Sequence, residues 1–372
     1  VLNLEFIMKK ASLFLSASLL FIFSSCVSVQ VKDNNLSSTS SSKKPKNIIL
    51  LIGDGMGLSQ VSSSLFFNDQ PSNFERFSTI GLIKTASSSD VITDSAAGAT
   101  AFASGIKTYN GAIGVNNDTI PVPTLLEEVS KKGLSTGLIA TSSIVHATPA
   151  SFYAHVKLRR QYEDIAAFMP TSEVDFFAGG GQKFFNNRKD GRNLYSELED
   201  NGFQVYTDKL PTTISEKKEA ILLAEDGMPK KIDGRGDFLP NAAQLALEKL
   251  AKSEEGFFLM IEGSQIDWGG HSNEADYLIG ELIDFDKTIG VALDYAKTNE
   301  ETLVIVTADH ETGGFTLASD GGDYNKLNPT FSTGGHSSTM VPVFAKGPGA
   351  EFFNGIYENT EIYTKMKQLL LE

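Results

Sequence analysis

Residues 47–57 read Asn-Ile-Ile-Leu-Leu-Ile-Gly-Asp-Gly-Met-Gly, the first strongly patterned stretch of the chain. The continuous apolar run Ile48–Ile52 is typical of a strand that is buried on both faces, as in a parallel sheet. The glycines on either side of Asp54 allow the backbone to bend sharply directly after that strand. The segment predicts a buried strand with a carboxylate at its carboxyl end, although an aspartate between glycines is equally typical of a simple turn.

Further apolar runs alternate with helical patterns along the rest of the chain. We predict strands at Leu138–Thr141, Phe176–Ala178, Phe203–Tyr206, Ile221–Ala224, Phe257–Ile261, Leu303–Thr307 and Val341–Ala345. Apolar residues recur at helical intervals in Leu125–Lys132, Asn241–Lys252 and Tyr277–Ala296. This alternation predicts an α/β fold with a large, mostly parallel central sheet and helices on both faces, in one domain over residues 47–372.

The composition limits the classes of function. With 372 residues, of which 41% are hydrophobic, the chain is long enough to bury a large core. Its 46 acidic residues outnumber 32 basic ones, which gives a net charge of −14 and disfavours a nucleic-acid partner. An excess of carboxylates also permits binding of hard cations, but it is equally typical of a soluble surface.

The first 26 residues resemble an export signal. A pair of lysines precedes the apolar run Leu13–Phe23, which is too short to span a bilayer as a helix. Cys26, the single cysteine of the chain, follows this run and resembles the lipid-acceptor cysteine of a bacterial lipoprotein; the alternative is a plain cleaved signal. Residues 27–46 are rich in Ser, Lys and Asn and predict a flexible tether. We expect an exported bacterial protein, either periplasmic or anchored to the outer membrane, that touches the membrane only through a lipid on Cys26.

Polar residues follow several of the predicted strands. They are Asp54 after the first strand, His146 and Thr148 after Leu138–Thr141, Glu262 after Phe257–Ile261, and Asp309 and His310 after Leu303–Thr307. Ligands of parallel sheets bind beyond the carboxyl ends of the strands. Four separate segments are therefore expected to meet at one edge of the sheet.

The segment Thr93–Ala101 predicts a loop that enters a helix of small residues. Asp94 or Ser95 could simply cap that helix. Alternatively, Ser95 is a nucleophile at a helix N-terminus, where free N–H groups and the helix dipole favour phosphate. No histidine is near Ser95 in sequence, so we favour a metal ion as its activator over a base from a distant part of the chain.

Carboxylates and imidazoles recur in the second half of the chain. Residues 262–271 place Glu262, Asp267 and His271 within one predicted loop, and His336 follows a pair of glycines. Metals such as zinc accept this mixture of ligands. The chain has five histidines, and all but His155 fall in polar loops after predicted strands or beside glycine. We interpret His155, which has apolar neighbours, as structural.

These segments resemble those of the alkaline phosphatase family in content and in order, from Asn47 to about Pro348. The resemblance implies a three-layer sandwich that converts phosphate monoesters into an alcohol and inorganic phosphate. It also implies two zinc ions and one magnesium ion as cofactors, a phosphoserine intermediate on Ser95, small-molecule substrates and a homodimer. Two alternatives stay open, namely a phosphodiesterase or sulfatase of the same superfamily and a non-catalytic lipoprotein that binds phosphate or metal.

The resemblance also implies roles for individual residues. The first zinc would take Asp267, His271 and His336; the second would take Asp54, Asp309 and His310, beside Ser95; magnesium would take Asp54, Thr148 and Glu262. Arg159 would hold two phosphate oxygens with its planar fork, with Arg160 as the alternative. Asp94 lies beside the nucleophile in sequence. His146 stands where the best-known bacterial pattern has aspartate and Trp268 where it has lysine, which leaves the identity of the third metal open.

The implied reaction uses two metal ions about 4 Å apart, as in other two-metal phosphatases. Ser95 would attack phosphorus in line, and water would then release phosphate from the opposite side. Two successive inversions would give net retention of configuration at phosphorus.

Overall fold

The computed structural model describes residues 44–372. The expected export signal at residues 1–26, including Cys26, and the expected tether up to residue 43 lie outside this range. Within it, no helix is both long enough and apolar enough to cross a bilayer.

Strands and helices alternate as the sequence predicts. The strands are β1 (Asn47–Gly53), β2 (Thr79–Lys84), β3 (Ser135–Ser143), β4 (Phe176–Gly180), β5 (Phe203–Tyr206), β6 (Lys218–Leu222), β7 (Phe257–Gly263), β8 (Thr302–Thr307), β9 (Glu311–Thr312), β10 (Thr316–Asp320), β11 (Asp323–Thr330), β12 (His336–Ser337), β13 (Val341–Lys346) and β14 (Gly355–Glu358). The α-helices are α1 (Leu58–Phe67), α2 (Ser95–Ser104), α3 (Leu125–Ser130), α4 (Ala147–Ala150), α5 (Tyr162–Phe168), α6 (Lys183–Asn186), α7 (Leu194–Asp200), α8 (Phe238–Leu250), α9 (Gln265–Ser272), α10 (Ala275–Thr298) and α11 (Thr360–Leu371). Single 3-10 turns occur at Asn73–Arg76, Met169–Thr171, Lys231–Asp233 and Ala350–Phe353.

One large sheet organises the fold. Across residues 44–372 it contains ten strands in the order β14-β2-β13-β8-β1-β7-β3-β4-β6-β5. Every neighbouring pair is parallel except those of β13, which runs antiparallel to both β2 and β8. With helices on both faces, the predicted mostly parallel α/β fold is confirmed. The sequence patterns did not predict β2 and β14, and the expected strand at Ile221–Ala224 begins earlier, at Lys218.

The register of the central strands aligns their carboxyl ends. Ile52 of β1 lies opposite Glu262 of β7 on one side and Thr307 of β8 on the other. These three strands are buried along their whole length. The carboxyl ends of β1, β7 and β8 therefore lie side by side, together with the residues that follow them. This is the edge of the sheet where the sequence predicts the site.

A short ribbon extends this edge. Strands β9 and β12 pair antiparallel, with His336 opposite Thr312 and Ser337 opposite Glu311. This pairing brings His336, which is distant from the other predicted ligands in sequence, back to the end of β8. The hairpin of β10 and β11 forms between these two short strands.

His155 has the structural role that its apolar neighbours indicate. Its Nδ1 lies 2.7 Å from the Gly114 carbonyl oxygen and its Nε2 lies 3.0 Å from Glu127 Oε1. Burial acts to lower the pKa of His155, but the hydrogen bonds to Glu127 and Gly114 outweigh it and raise this pKa above its usual value. Burial acts to raise the pKa of Glu127, but its bonds to His155 and Thr124 lower it. The pair fastens the segment that leads to Arg159 onto α3.

This ion pair predicts a pH-dependent contribution to stability. The raised pKa of His155 means that its contribution is complete below its unfolded pKa of about 6.5 and is lost as the pH rises through the folded value. The lowered pKa of Glu127 means that its contribution is complete above about pH 4.3 and is lost on acidification. The substitution His155→Gln should therefore lower the free energy of unfolding by about 1 kcal/mol near pH 6 and by less at pH 9. Urea unfolding at both pH values measures this difference.

A control separates the ion pair from the helix cap beside it. Thr124 caps α3 and accepts a hydrogen bond from the Glu127 N–H. Because no titratable group is removed, Thr124→Ala should destabilise the protein by a similar amount at both pH values. If His155→Gln lowers the free energy of unfolding equally at pH 6 and pH 9, His155 and Glu127 do not form a stabilising ion pair.

Candidate active site

Three buried carboxylates meet at the aligned strand ends. Asp54, Glu262 and Asp309 are all fully buried. Burial, followed by the charges of Asp309 and its acidic neighbours, raises the pKa of Asp54 well above its usual value. Burial also raises the pKa of Asp309, and it raises that of Glu262 to about 7 despite hydrogen bonds from Ser264 and other hydroxyls. In the absence of a bound cation, the site therefore disfavours the ionised form of these three carboxyl groups.

Asp54, Asp309 and His310 form one group. His310 Nε2 lies 3.5 Å from Asp54 Oδ1 and 3.4 Å from Asp309 Oδ2. Asp309 Oδ1 accepts hydrogen bonds from the Gly55 and His310 N–H groups, which fixes the direction of the carboxylate. Among the described residues, neither oxygen of Asp54 nor Asp309 Oδ2 has a hydrogen-bond partner. Such oxygens are costly when buried unless a cation binds them.

Asp267, His271 and His336 form a second group. Asp267 Oδ1 lies 3.4 Å from His271 Nε2 and 3.6 Å from His336 Nε2. Residues 262–271 do not form the single loop that the sequence analysis expected, because β7 continues to Gly263 and α9 begins at Gln265. Within α9, Asp267 and His271 are four residues apart and therefore lie on the same face of the helix.

The imidazole rings of His271 and His336 face each other through their Nε2 atoms. His271 Nδ1 lies 2.8 Å from the Gly334 carbonyl oxygen, and His336 Nδ1 lies 2.8 Å from the Thr93 carbonyl oxygen. A carbonyl can only accept, so each Nδ1 carries a proton and each neutral ring has an unprotonated Nε2. These Nε2 atoms are 3.1 Å apart. Two lone pairs at this distance repel each other unless a proton or a metal ion lies between them, so the arrangement is one that a metal ion would fit.

Asp54, Glu262 and His146 form a third group. Their ligand atoms lie within 4.8 Å of one another, as do those of Asp54, Asp309 and His310 and those of Asp267, His310 and His336. Thr148 lies close enough for its hydroxyl to lower the pKa of Glu262. The ring of Trp268 meets the partly buried imidazole of His146 edge-on, with 5.9 Å between ring centroids. The two positions that depart from the best-known bacterial pattern therefore contact each other beside this third group.

Ser95 lies at the N-terminus of α2, as the sequence predicts. Asp94 is the N-cap, and its side chain accepts a hydrogen bond from the Ala97 N–H. Ser95 is buried, and its Oγ lies 3.2 Å from His310 Nε2, a residue 215 positions away in sequence. Asp94 therefore caps the helix, and Ser95 is left free to face the site. A histidine from a distant segment, His310, does contact Ser95.

Arg159 points to the same place. Its Nη1 donates a hydrogen bond to Asp94 Oδ2 at 3.1 Å, and its Nη2 lies 3.4 Å from His146 Nε2. Burial acts to lower the pKa of Arg159, but the Asp94 carboxylate outweighs it and raises that pKa. Arg160 is exposed and lines a surface cavity with Tyr162 and its neighbours.

Sequence analysis did not identify the residues that hold these side chains in place. Ser264 Oγ donates to Glu262 Oε2 at 2.6 Å, and Thr312 Oγ1 donates to Asp267 Oδ1 at 2.5 Å. Gln60 Nε2 donates to Glu311 Oε1 at 2.8 Å. Ser264 and Thr312 lie two residues from a predicted ligand in the sequence, but so do many other residues. Gln60 does not have even this signal.

Comparisons with known proteins identify the family of the chain. Residues 45–330 match the family model described as alkaline phosphatase. The chain is 35% identical over 405 residues to alkaline phosphatase 3 of Bacillus subtilis, covering 85% of this chain and 87% of the relative. It is 31% identical over 409 residues to the alkaline phosphatase of Escherichia coli, covering 89% of this chain and 87% of the relative.

Solved structures give the same result. The alkaline phosphatase from the Antarctic bacterium TAB5 superposes with a TM-score of 0.87 at 52% sequence identity, covering 88% of this chain and 98% of that one. A variant of that protein, in which aspartate replaces a histidine, is described with Mg bound in its M3 site. The matched family model spans most of the chain, and several relatives exceed 30% identity over most of their length. The chain therefore belongs to the alkaline phosphatase family, as its motifs indicated, and is an enzyme that hydrolyses phosphate monoesters.

Proposed function

We propose that Ser95 is the nucleophile of this hydrolysis and that the reaction passes through a phosphoserine. The observation that carries the proposal is the position of Ser95 Oγ, at the start of α2 and 3.2 Å from His310 Nε2 within the carboxylate and imidazole groups. A serine whose hydroxyl contacts an imidazole that itself lies beside unpaired buried carboxylates has the surroundings of an activated nucleophile rather than those of a helix cap.

The proposal includes two zinc ions and one magnesium ion. Asp267, His271 and His336 would hold the first zinc, and Asp54, Asp309 and His310 the second; Asp54, Thr148 and Glu262 would hold magnesium. Mixed carboxylate and imidazole ligands suit zinc, whereas oxygen ligands suit magnesium. The Mg-bound variant of the Antarctic relative supports a magnesium site in this fold. When bound, these ions would lower the pKa of the reacting hydroxyl groups and offset the charge of the phosphate oxygens.

The residues around Ser95 would orient the phosphate. The first N–H groups of α2 and the positive end of its dipole favour an anion beside Ser95. Arg159 would supply N–H donors to two non-bridging oxygens, while its bond to Asp94 keeps the guanidinium in place. Asp94 Oδ1 is itself held by the Ala97 and Gly111 N–H groups.

The proposed reaction has two displacements at phosphorus. Ser95 Oγ attacks in line, so that the bond from phosphorus to Ser95 forms as the bond to the alcohol oxygen breaks; the proton lost by the Ser95 hydroxyl is balanced by the proton that the departing alcohol gains. Water then attacks phosphorus from the vacated side, the bond to Ser95 breaks, one proton of the water is balanced by the proton that restores the Ser95 hydroxyl, and inorganic phosphate departs. Configuration at phosphorus is retained because each displacement inverts it.

Replacement of Ser95 tests the nucleophile. Ser95→Ala should abolish incorporation of labelled phosphate into the protein and lower kcat on an aryl phosphate by on the order of 10³-fold or more, because the attacking oxygen is gone. Acid quenching followed by mass spectrometry measures the phosphoserine. Ser104→Ala is the matched control, since Ser104 lies in the same helix and is also buried. Normal phosphate labelling of Ser95→Ala would refute the assignment.

Metal content tests the ligand sets. Wild-type protein should contain two zinc ions and one magnesium ion per chain, and chelation should remove activity that zinc and magnesium then restore. Asp309→Asn should lose zinc, whereas Glu262→Gln should lose magnesium and keep zinc, because Glu262 belongs only to the magnesium set. Glu219→Gln, which alters a buried carboxylate elsewhere in the fold, should keep all three. Elemental analysis measures each; loss of zinc with retention of magnesium in Glu262→Gln would contradict the sets.

Replacement of Arg159 tests the phosphate clamp. Arg159→Lys should lower kcat/KM for a phosphate monoester by about 10- to 100-fold, because a point charge cannot replace two parallel N–H donors. Rates on a phosphate diester and a sulfate ester, which carry less charge, should fall less. Arg160→Lys is the matched control and should change none of these rates. A lower kcat/KM in Arg160→Lys but not in Arg159→Lys would show that Arg160, not Arg159, binds the phosphate.

A further inference from the structure

Thr312 contacts ligands of both proposed zinc sites. It lies in β9, two residues beyond His310, and its side chain is fully buried. Its Oγ1 lies 2.5 Å from Asp267 Oδ1 and 3.2 Å from His310 Nδ1. Asp267 belongs to the first ligand set and His310 to the second, so one hydroxyl group joins the two.

Hydrogen-bond chemistry fixes the direction of both contacts. An ionised carboxylate only accepts, and a threonine hydroxyl has one proton, so Thr312 donates that proton to Asp267. The lone pairs of Thr312 Oγ1 then remain for His310, whose Nδ1 must carry a proton in order to donate it. In the neutral ring this leaves Nε2 unprotonated. Nε2 is the atom that lies 3.2 Å from Ser95 Oγ and near the carboxylates of Asp54 and Asp309.

The packing around Thr312 holds its hydroxyl in this direction. The Thr312 N–H donates to the Gly55 carbonyl at 3.0 Å, and Gln60 Nε2 donates to the Thr312 carbonyl at 2.9 Å. A Cβ added at Gly55 would lie 2.7 Å from Thr312 Oγ1, and one added at Gly270 would lie 3.0 Å from Thr312 Cγ2. The methyl group therefore packs against Gly270, and the β-branched side chain has little freedom to rotate its hydroxyl away.

We propose that Thr312 is a positioning residue that couples the two zinc sites. It selects the His310 tautomer with a free Nε2 and holds Asp267 in the orientation that faces His271 and His336. This inference rests on the proposed function for the identity of the metal ions. Outer hydrogen bonds to ligands commonly contribute 10- to 100-fold to metal affinity, so one group that orients ligands of two sites should affect both.

Two substitutions separate the hydroxyl from the shape of the side chain. Thr312→Val keeps the volume and the branching but removes the hydroxyl, whereas Thr312→Ser keeps the hydroxyl and removes the methyl group. Zinc affinity is measured in the full chain after chelation, by competition with a chromophoric chelator. Thr312→Val should weaken binding of both zinc equivalents by about 10- to 100-fold, and Thr312→Ser should stay within about threefold of wild type. Thr312→Ala provides a second variant without the hydroxyl, in case valine prevents folding.

A spectroscopic measurement reports the tautomer directly, in the wild-type protein as well as in the variants. In metal-free protein labelled with 15N-histidine, the nitrogen shifts of His310 should show a protonated Nδ1 and a free Nε2 in wild type and in Thr312→Ser. In Thr312→Val the tautomer with a protonated Nε2 should gain population. A protonated Nε2 as the main form in the wild-type protein would overturn the proposal.

The outcomes distinguish this inference from the proposed function. If wild-type protein binds two zinc ions and Thr312→Val or Thr312→Ala binds both equally tightly, the positioning role is wrong and the ligand sets stand. If wild-type protein binds no zinc but shows the expected His310 tautomer, the metal assignment is wrong and the hydrogen-bond role of Thr312 stands.

Discussion

The aligned carboxyl ends of β1, β7 and β8 place three carboxylates in one buried space, and the rest of the site depends on that constraint. Burial away from water raises the pKa of Asp54, Asp309 and Glu262, and the charges of neighbouring carboxylates add to this rise for Asp54 and Glu262. Flexible loops would move the carboxylates apart. Fully buried strands in a fixed register cannot do so, and the sheet therefore maintains an arrangement that favours divalent cations over an empty site.

Several elements around this edge position side chains that face the same space. The register of β1 and β8 fixes Asp54 and Asp309, α9 presents Asp267 and His271 from one helical face, and β12 returns His336 through its pairing with β9. Backbone carbonyls orient the outer imidazoles by binding their Nδ1 atoms. The proposed role of Thr312 follows the same logic, because a ligand is useful only when its free lone pair points to the metal.

Sequence patterns predicted the strands whose apolar runs are long and continuous, because burial on both faces leaves an unmistakable signal. They missed β2 and β14, whose residues are only partly buried, and they could not show that β13 runs antiparallel. The predicted ligands were visible because carboxylates and imidazoles are conspicuous after strands. The contact between Ser95 and His310 could not be read from local periodicity, since 215 residues separate the two, and only the family resemblance implied that they lie together. Hydroxyl groups such as that of Thr312 were missed because threonine is common everywhere.

The imidazoles of the site differ strongly in exposure, so the site has a buried end and a solvent-exposed end. The side chain of His310 is 0% exposed, that of His336 14% and that of His271 42%. Ser95 lies against His310, at the dry end of this series, where charge interactions are strongest because water is excluded. The end near His271 is exposed to solvent, whereas Ser95, the proposed nucleophile, is buried at the other end. Thr312 is buried and bonds both to Asp267, which faces the more exposed imidazoles, and to His310, which is fully buried, so the proposed positioning residue spans this difference in exposure.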